Sequence, residues 1–403
     1  MELKQDSDNN VSYEVLELFQ PPTAHRDTFQ HALDSAIEKV TSLVPRFGLR
    51  NPRLGIPDTN RYAFCIPDEW VASFWPGQMW LAYSITGNSV LKNSAQMRRE
   101  YFRTVLEHPR WHDHDLGFLF SLTCVADFTL TGNEKSRDMA LRAADFLAAR
   151  WRQPMQFVMC WNPMLRDGPK FMARKTGTLN IDSMQAMALL FWAARETGQS
   201  SFTDIANMHL ETSRKYLIRD DFSSYHAYEF DPRTGDPIGG FTHQGLHDES
   251  CWSRGQSWAI HGFAQAYLYT GINDYRETAA KMADYVANHL PEDGVPLWDY
   301  DLPDSETPYR DSSAGAVTAA GLYTLARCYG PGEHGDKYTA LADKMLLGLI
   351  ENCDITNDSN AEGLLKDGAA FVELGRANNL LPYGDYYYLE ALMRSVGHTE
   401  FFW

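Results

Sequence analysis

The sequence predicts an all-α fold, an (α/α)6 barrel built as a closed toroid of six helical hairpins. Apolar residues recur at helical spacing, as in Ala140, Ala144, Leu147, Ala148 and Trp151, or Ala279, Met282, Val286 and Leu290, while runs of alternating β-branched residues are scarce. An aromatic-rich apolar stretch ends four times in Thr-Gly, at Thr86-Gly87, Thr131-Gly132, Thr197-Gly198 and Thr270-Gly271, with Tyr329-Gly330 as a weaker fifth. Glycine there suits a helix C-terminus that passes through a left-handed conformation before the chain reverses. The last periodic stretch, Tyr386, Tyr387, Tyr388, Leu389, Leu392 and Met393, is apolar and inward-facing, which favours a closed ring over an open solenoid with polar caps.

Counting outward from these joints places helices near 29–45, 73–86, 88–107, 115–131, 134–151, 182–197, 201–217, 255–270, 274–290, 313–329, 335–352 and 384–396. The first of each pair is charged on one side, as an outer helix should be. The second is richer in aromatics, Gly and Ala, as a doubly buried inner helix should be. Closure explains how 403 residues form one unit where length alone suggests two or three domains. The expected organisation is an N-terminal extension, 1–28, with no assigned role, and a single barrel domain, 29–403.

Composition narrows the function. With 36 basic and 53 acidic residues the formal charge is -17, which speaks against nucleic acid because phosphate binding needs clustered Lys and Arg. Cysteines at 65, 124, 160, 251, 328 and 353 show no short repeated spacing, so reduced, mostly buried thiols are expected. The N-terminus lacks the basic start and apolar core of a signal peptide, and the longest apolar run, about Ala186 to Ala194, is far short of the ~20 residues that span a bilayer. A soluble, cytoplasmic protein is expected, with no membrane partner.

The segments ahead of the inner helices share a character: Asp68-Glu69-Trp70, His112-Asp113-His114-Asp115, Asn180-Ile-Asp182-Ser183, Trp252-Ser-Arg254-Gly-Gln256-Ser-Trp258, Tyr309-Arg310-Asp311 and Gly384-Asp385-Tyr386. Parallel inner helices in a ring bring these starts to one mouth, lined by carboxylates, indoles and an arginine. Indoles stack on the apolar faces of sugar rings and carboxylates perform acid/base work, so the expected ligand is a carbohydrate. Plainer readings compete. Asp115 and Asp182 also suit helix N-caps. His112 and His114 lack the further carboxylate or Cys pattern of a metal site, and His243 and His247 sit in a Gly-containing loop rather than a zinc-binding helix; no metal or cofactor is expected. Any one of Trp70, Trp161, Trp252 and Trp258 suits a core, although four near polar helix starts suit a site better. P-loop and G-x-S-x-G patterns are absent, and no G-x-G-x-x-G follows a predicted strand.

Several motifs in order resemble the unsaturated glucuronyl hydrolases of glycoside hydrolase family 88. They include Trp70-x-x-x-Phe-Trp-x-Gly, His114-Asp-x-Gly-Phe-Leu-x-Ser-Leu, Ile181-Asp, Asp221-x-Ser-Ser-Tyr-His, Thr242-His-Gln-Gly, Trp252-x-Arg-Gly-Gln-x-Trp, Tyr309-Arg-Asp-Ser-Ser-Ala and Gly384-Asp-Tyr-Tyr-Tyr-Leu-Glu-Ala-Leu, and run from about residue 29 to 396. The resemblance implies an (α/α)6 barrel that removes the 4,5-unsaturated uronic acid left at the non-reducing end of oligosaccharides by polysaccharide lyases. Asp182 matches the general acid/base and Asp115 a second essential carboxylate. His226, His243, Gln244, Arg254 and Trp258 match residues around the uronate, with Trp70 and His114 beside them. Trp161 matches an aromatic platform for the neighbouring sugar.

The implied chemistry protonates C4 of an enol ether, adds water at C5 and opens the resulting hemiketal. Burial among indoles and a nearby Asp115 are expected to raise the pKa of Asp182 against the helix dipole. Six inner-helix N-termini, Arg254 and the histidines are expected to make the mouth locally favourable to a carboxylate despite the acidic surface. Relatives that prefer sulfated fragments carry Ser-x-Ser-x-Lys ahead of the last helix, where this chain reads Phe371-Val-Glu-Leu-Gly-Arg-Ala, with Arg376 the cation of that stretch. An unsulfated leaving sugar is therefore expected. The alternatives are an unsaturated rhamnogalacturonyl hydrolase, a barrel-shaped sugar epimerase using paired histidines, and a non-catalytic carbohydrate-binding toroid.

Overall fold

The computed structural model describes residues 24–56, 58–67, 69–162 and 174–403. Residues 1–23, most of the expected N-terminal extension, and Asp68 lie outside the described residues. The inner helices are Phe74–Thr86, a helix that runs from Leu116–Phe120 through a π-helical turn at Ser121–Val125 to Ala126–Thr131, Ser183–Thr197, Ser253–Thr270, Ser312–Tyr329 and Pro382–Ser395. Outside them lie Arg26–Phe47, the broken pair Ser89–Met97 and Arg99–Leu106, Glu134–Ala148, Ser200–Leu217, Asn273–His289 and Glu333–Asn352. Each inner helix packs on the next, and Pro382–Ser395 returns to pack on Phe74–Thr86, closing the ring. Every residue of Pro382–Ser395 is buried, and so is every residue of Ser312–Tyr329 except Arg327 and Tyr329. No helix among the described residues is long and apolar enough to cross a membrane.

The Thr-Gly joints have one shared geometry. Gly87, Gly132, Gly198 and Gly271 adopt φ of 64°, 70°, 72° and 68°, and each N–H donates to the carbonyl four residues back at 2.8 Å. The preceding threonines donate their hydroxyls to the carbonyls of Ala82, Asp127, Ala193 and Ala266. Two carbonyls at each helix end are thereby satisfied while the chain reverses. Gly330 ends its helix with ψ of -169° and departs from the pattern, as the weaker Tyr-Gly match foreshadowed.

A second glycine sets the distance between the two helices that matter most. A Cβ on Gly117 would lie 2.2 Å from Ala186 Cα, so its absence lets the 116–131 and 183–197 helices touch just after Asp115 and Asp182. No rotamer change relieves a clash with backbone. We expect Gly117→Ala to cost about 1–3 kcal/mol of stability and to depress turnover by separating the helix starts. Denaturant unfolding and steady-state kinetics check this, and wild-type values in both would contradict the proposed role of the close approach.

Short strands complete the mouth, and these were not expected from the sequence. Thr178–Asn180, Ala227–Phe230 and Pro237–Phe241 form an antiparallel sheet in that order, with Asn180 opposite Ala227. Two further hairpins join Pro52–Ile56 to Arg61–Phe64 and Trp151–Arg152 to Phe157–Val158. The three-stranded sheet delivers Asn180 and His226 to the site, and Ile181 N donates to His226 O at 2.9 Å, tying the strand pair to the start of the 183–197 helix.

Candidate active site

Asp115 and Asp182 occupy the N-cap positions of their helices, yet neither side chain accepts a capping hydrogen bond. Asp311 shows what capping looks like here: its carboxylate accepts from Ser313 N at 3.1 Å and Ala314 N at 3.3 Å. The plain helix-cap reading therefore describes Asp311 and not the other two. Instead, both carboxylates approach one imidazole nitrogen, His114 Nε2, at 3.2 Å from Asp182 Oδ1 and 3.4 Å from Asp115 Oδ1. The amide of Asn180 lies 3.1 Å from the same nitrogen, a neighbour that sequence reasoning passed over.

Burial and neighbouring charge set the proton affinity of Asp115 and His114. Asp115 is held well above the usual carboxylate range, first by burial and then by the charges of Asp113 and Asp182, with His114 opposing. Burial would lower His114, but the charges of Asp115 and Asp182 overcome it and raise the imidazole well above its ordinary value. Both directions are upward, so the cluster keeps protons at a pH where isolated carboxylates have lost theirs.

Around the trio, the indole of Trp161 meets His114, His226 and His243 edge-on at centroid separations of 6.3, 6.2 and 5.9 Å. His226 Nδ1 accepts from His243 N at 3.1 Å and Gln244 N at 3.2 Å, which places the ring proton on Nε2. Among the described residues that buried Nε2 has no hydrogen-bond partner. Burial, then His243 and Arg254, keep the His226 ring neutral by pushing it well below its ordinary value. Trp70 stacks on Tyr383 at 5.2 Å and 23° and packs against Phe118.

Two predicted site residues lie deeper. Trp258 is 1% exposed, wedged between Phe118 and Tyr387. Arg254 is 2% exposed, and its guanidinium pairs with Asp311 and donates to Ala369 O at 2.8 Å and Ala370 O at 3.0 Å. Gln244 Nε2 also donates to Ala370 O, at 2.7 Å. The charge of Arg254 is thus balanced within the wall and His226 is neutral, so the local positive field expected from them reduces to the helix N-termini and His114. What Arg254 and Gln244 visibly do is hold the 369–371 segment, which puts Phe371 edge-on to His243 at 5.0 Å. His112 turns away, its Nε2 on Val105 O at 3.0 Å and its ring on Phe146, and His247 is exposed. Asp113, His114 and Asp115 bring potential metal-ligand atoms within 4.8 Å of one another. Asp113 Oδ1, however, already accepts from Asp115 N, and His114 Nε2 faces Asp182.

An α/α barrel whose mouth gathers two non-capping carboxylates, a shared imidazole and the Trp161 indole has the make-up of a glycoside hydrolase. The family model for Glycosyl Hydrolase Family 88 matches residues 69–399. The chain is 36% identical over 378 residues to the unsaturated glucuronyl hydrolase of Bacillus sp. (strain GL1), covering 93% of this chain and 98% of that one. It is 35% identical over 386 residues to the unsaturated chondroitin disaccharide hydrolase of Streptococcus pyogenes serotype M1, covering 94% of each. The crystal structure of the Bacillus sp. GL1 enzyme superposes with a TM-score of 0.85 over 91% of this chain and 96% of that one, at 36% identity. This chain belongs to glycosyl hydrolase family 88.

Proposed function

We propose that this hydrolase releases the 4,5-unsaturated uronic acid from the non-reducing end of lyase-generated oligosaccharides by hydrating the C4=C5 enol ether. One observation carries the assignment of roles: two carboxylates at inner-helix starts, neither spent on capping, share one imidazole nitrogen. Asp182, with its side chain 18% exposed against 12% for Asp115, delivers the proton to C4. Positive charge then develops at C5, shared with the ring oxygen, and Asp115 orients the water that adds there. The hemiketal opens and expels the next sugar. The upward shifts of Asp115 and His114 favour their protonated forms beside Asp182, which general acid catalysis requires. No group attacks the anomeric carbon, so rules linking carboxylate spacing to retention or inversion do not apply.

Trp70, His114, His226, His243 and Gln244 surround the uronate, Trp161 supports the neighbouring sugar, and Arg254 and Trp258 brace the wall from behind. The residue 371–376 hairpin supports an unsulfated leaving sugar: Phe371 and Arg376 pair through their backbones, and the turn exposes Glu373 and Leu374 where sulfate-preferring relatives carry Ser-x-Ser-x-Lys. Six free cysteines support a reducing, intracellular setting. Incubation with lyase-generated unsaturated disaccharides, following the ultraviolet absorbance of the conjugated double bond, tests the reaction. Loss of absorbance is expected, fastest with unsulfated and slowest with sulfated partner sugars. Unchanged absorbance across the panel would point to an epimerase or a lectin instead.

A further inference from the structure

His209 lies on the outer helix Ser200–Leu217, is fully buried, and has no place in the chemistry above. Its hydrogen bonds nevertheless run straight to the residues flanking Asp182. Val158 N donates to His209 Nδ1 at 3.1 Å, so Nδ1 is unprotonated and the ring proton sits on Nε2. That proton faces Ser183 Oγ at 2.9 Å, and Ser183 Oγ in turn donates to Asn180 O at 2.6 Å. Ser213 Oγ donates to His209 O at 2.9 Å and fixes the helical turn that carries the imidazole. Each link has one direction only: amide to Nδ1, Nε2–H to hydroxyl, hydroxyl to carbonyl. An imidazolium would confront the Val158 N–H with a second donor. Burial, with the charge of His114 adding, pushes His209 down to about 3, so the ring stays neutral through the working pH range.

The consequence falls on Asp182 because the chain grips it from both sides. Ser183 follows it and Asn180 precedes it by two residues, and all of His209, Ser183 and Asn180 are fully buried. The same clamp fixes the Asn180 amide 3.1 Å and, through the backbone, the Asp182 carboxylate 3.2 Å from His114 Nε2. Ser183, the first residue inside the 183–197 helix, accepts from His209 and aims its own hydroxyl back onto the Asn180 carbonyl.

We infer that His209 is a positioning residue of the reaction: acting through Ser183, it holds the 180–183 turn in the geometry from which Asp182 transfers its proton. The inference rests on Asp182 as the proton donor. Errors of about 1 Å in such placement cost on the order of 100-fold in rate, and the side-chain link of His209 runs through Ser183 to the turn that carries Asp182, so the effect falls mainly on kcat.

The test compares His209→Leu, His209→Gln, Ser183→Ala, the His209→Leu/Ser183→Ala pair and Asp182→Asn, each assayed for kcat and KM per folded molecule alongside thermal melting. His209→Leu and Ser183→Ala should each lower kcat by about 10- to 100-fold with KM within about threefold. His209→Gln, whose amide can still donate to Ser183 Oγ, should recover part of the loss. The double variant should be no slower than Ser183→Ala alone, because both break one chain. Should His209→Leu fail to fold, His209→Gln and Ser183→Ala carry the comparison. Wild-type kcat in folded His209 variants, or additive losses in the pair, overturns the positioning role while an inactive Asp182→Asn leaves the donor in place. An active Asp182→Asn overturns both.

Discussion

Asp182→Asn is expected to lower kcat by at least ~10³-fold with KM within about threefold of wild type. The amide keeps the shape and an acceptor for His114 Nε2, now at 3.2 Å from Asp182 Oδ1, but has no proton to give to C4. Rapid-quench or continuous absorbance assays with an unsaturated disaccharide check the rate, and binding of the same sugar to the variant checks the pocket. Wild-type turnover would remove Asp182 from the acid role. Asp115→Asn separates the second carboxylate from the first. The pKa values of Asp115 and His114 are both raised above their ordinary values, so kcat/KM should fall as pH rises through the apparent pKa of this pair. Above that pKa Asp115 is an anion that helps His114 keep its proton, and the Asn variant lacks it. The alkaline limb of the profile should therefore move to lower pH, and an unmoved limb would show that Asp115 titrates apart from the others.

The largest stability effect lies further along the inner helices. Glu390 is fully buried and accepts from His261 Nε2 at 3.1 Å, Arg394 Nε at 2.9 Å and Trp403 Nε1 at 2.8 Å. Burial would raise its carboxyl, but Arg394, His261 and Trp403 hold it down at about 2. Glu390→Ala leaves Arg394, itself 5% exposed, without a counter-charge, at a cost of about 3–5 kcal/mol. The folded pKa lies below the ordinary 4.5, so this group's stabilisation is present above about 4.5 and lost as pH falls towards 2. Glu390→Gln should accordingly flatten that part of the acid-unfolding profile, while kcat measured well below the melting point stays near wild type. An unchanged acid transition would show that the cluster contributes nothing to stability.

Local chemistry made the barrel legible. A left-handed glycine after a threonine is a helix end whatever surrounds it, so the joints at 87, 132, 198 and 271 fixed the hairpin spacing before any tertiary contact was known. The three-stranded sheet left no such mark, because its strands are three to five residues long and Pro237–Phe241 carries one proline and two glycines. Its one local signal is the Asp231-Pro-Arg-Thr-Gly235-Asp turn, with Gly235 at φ 80°. Asp115 and Asp182 were visible as candidates, but the same residue type serves capping and catalysis, and only the orientation of the side chain separates them. Arg254 was visible as a cation; its partner Asp311 lies 57 positions along the chain, beyond any local pattern. Asn180, Tyr383 and His209 were missed for a related reason: each acts through what it touches across the fold.

Ring closure also sets a timetable. Gln78 on the first inner helix donates to the carbonyl of Pro382 at the start of the last, 304 positions away. At roughly 5–20 residues per second, synthesis leaves the first inner helix waiting about 15–60 s for its neighbour. During that interval a growing arc of apolar helices presents two unsealed flanks, and no sugar pocket exists until the final hairpin arrives. The enzyme is therefore most vulnerable to aggregation just before it becomes functional. Slowing elongation late in the message should lower soluble yield far more than an equal delay near its start.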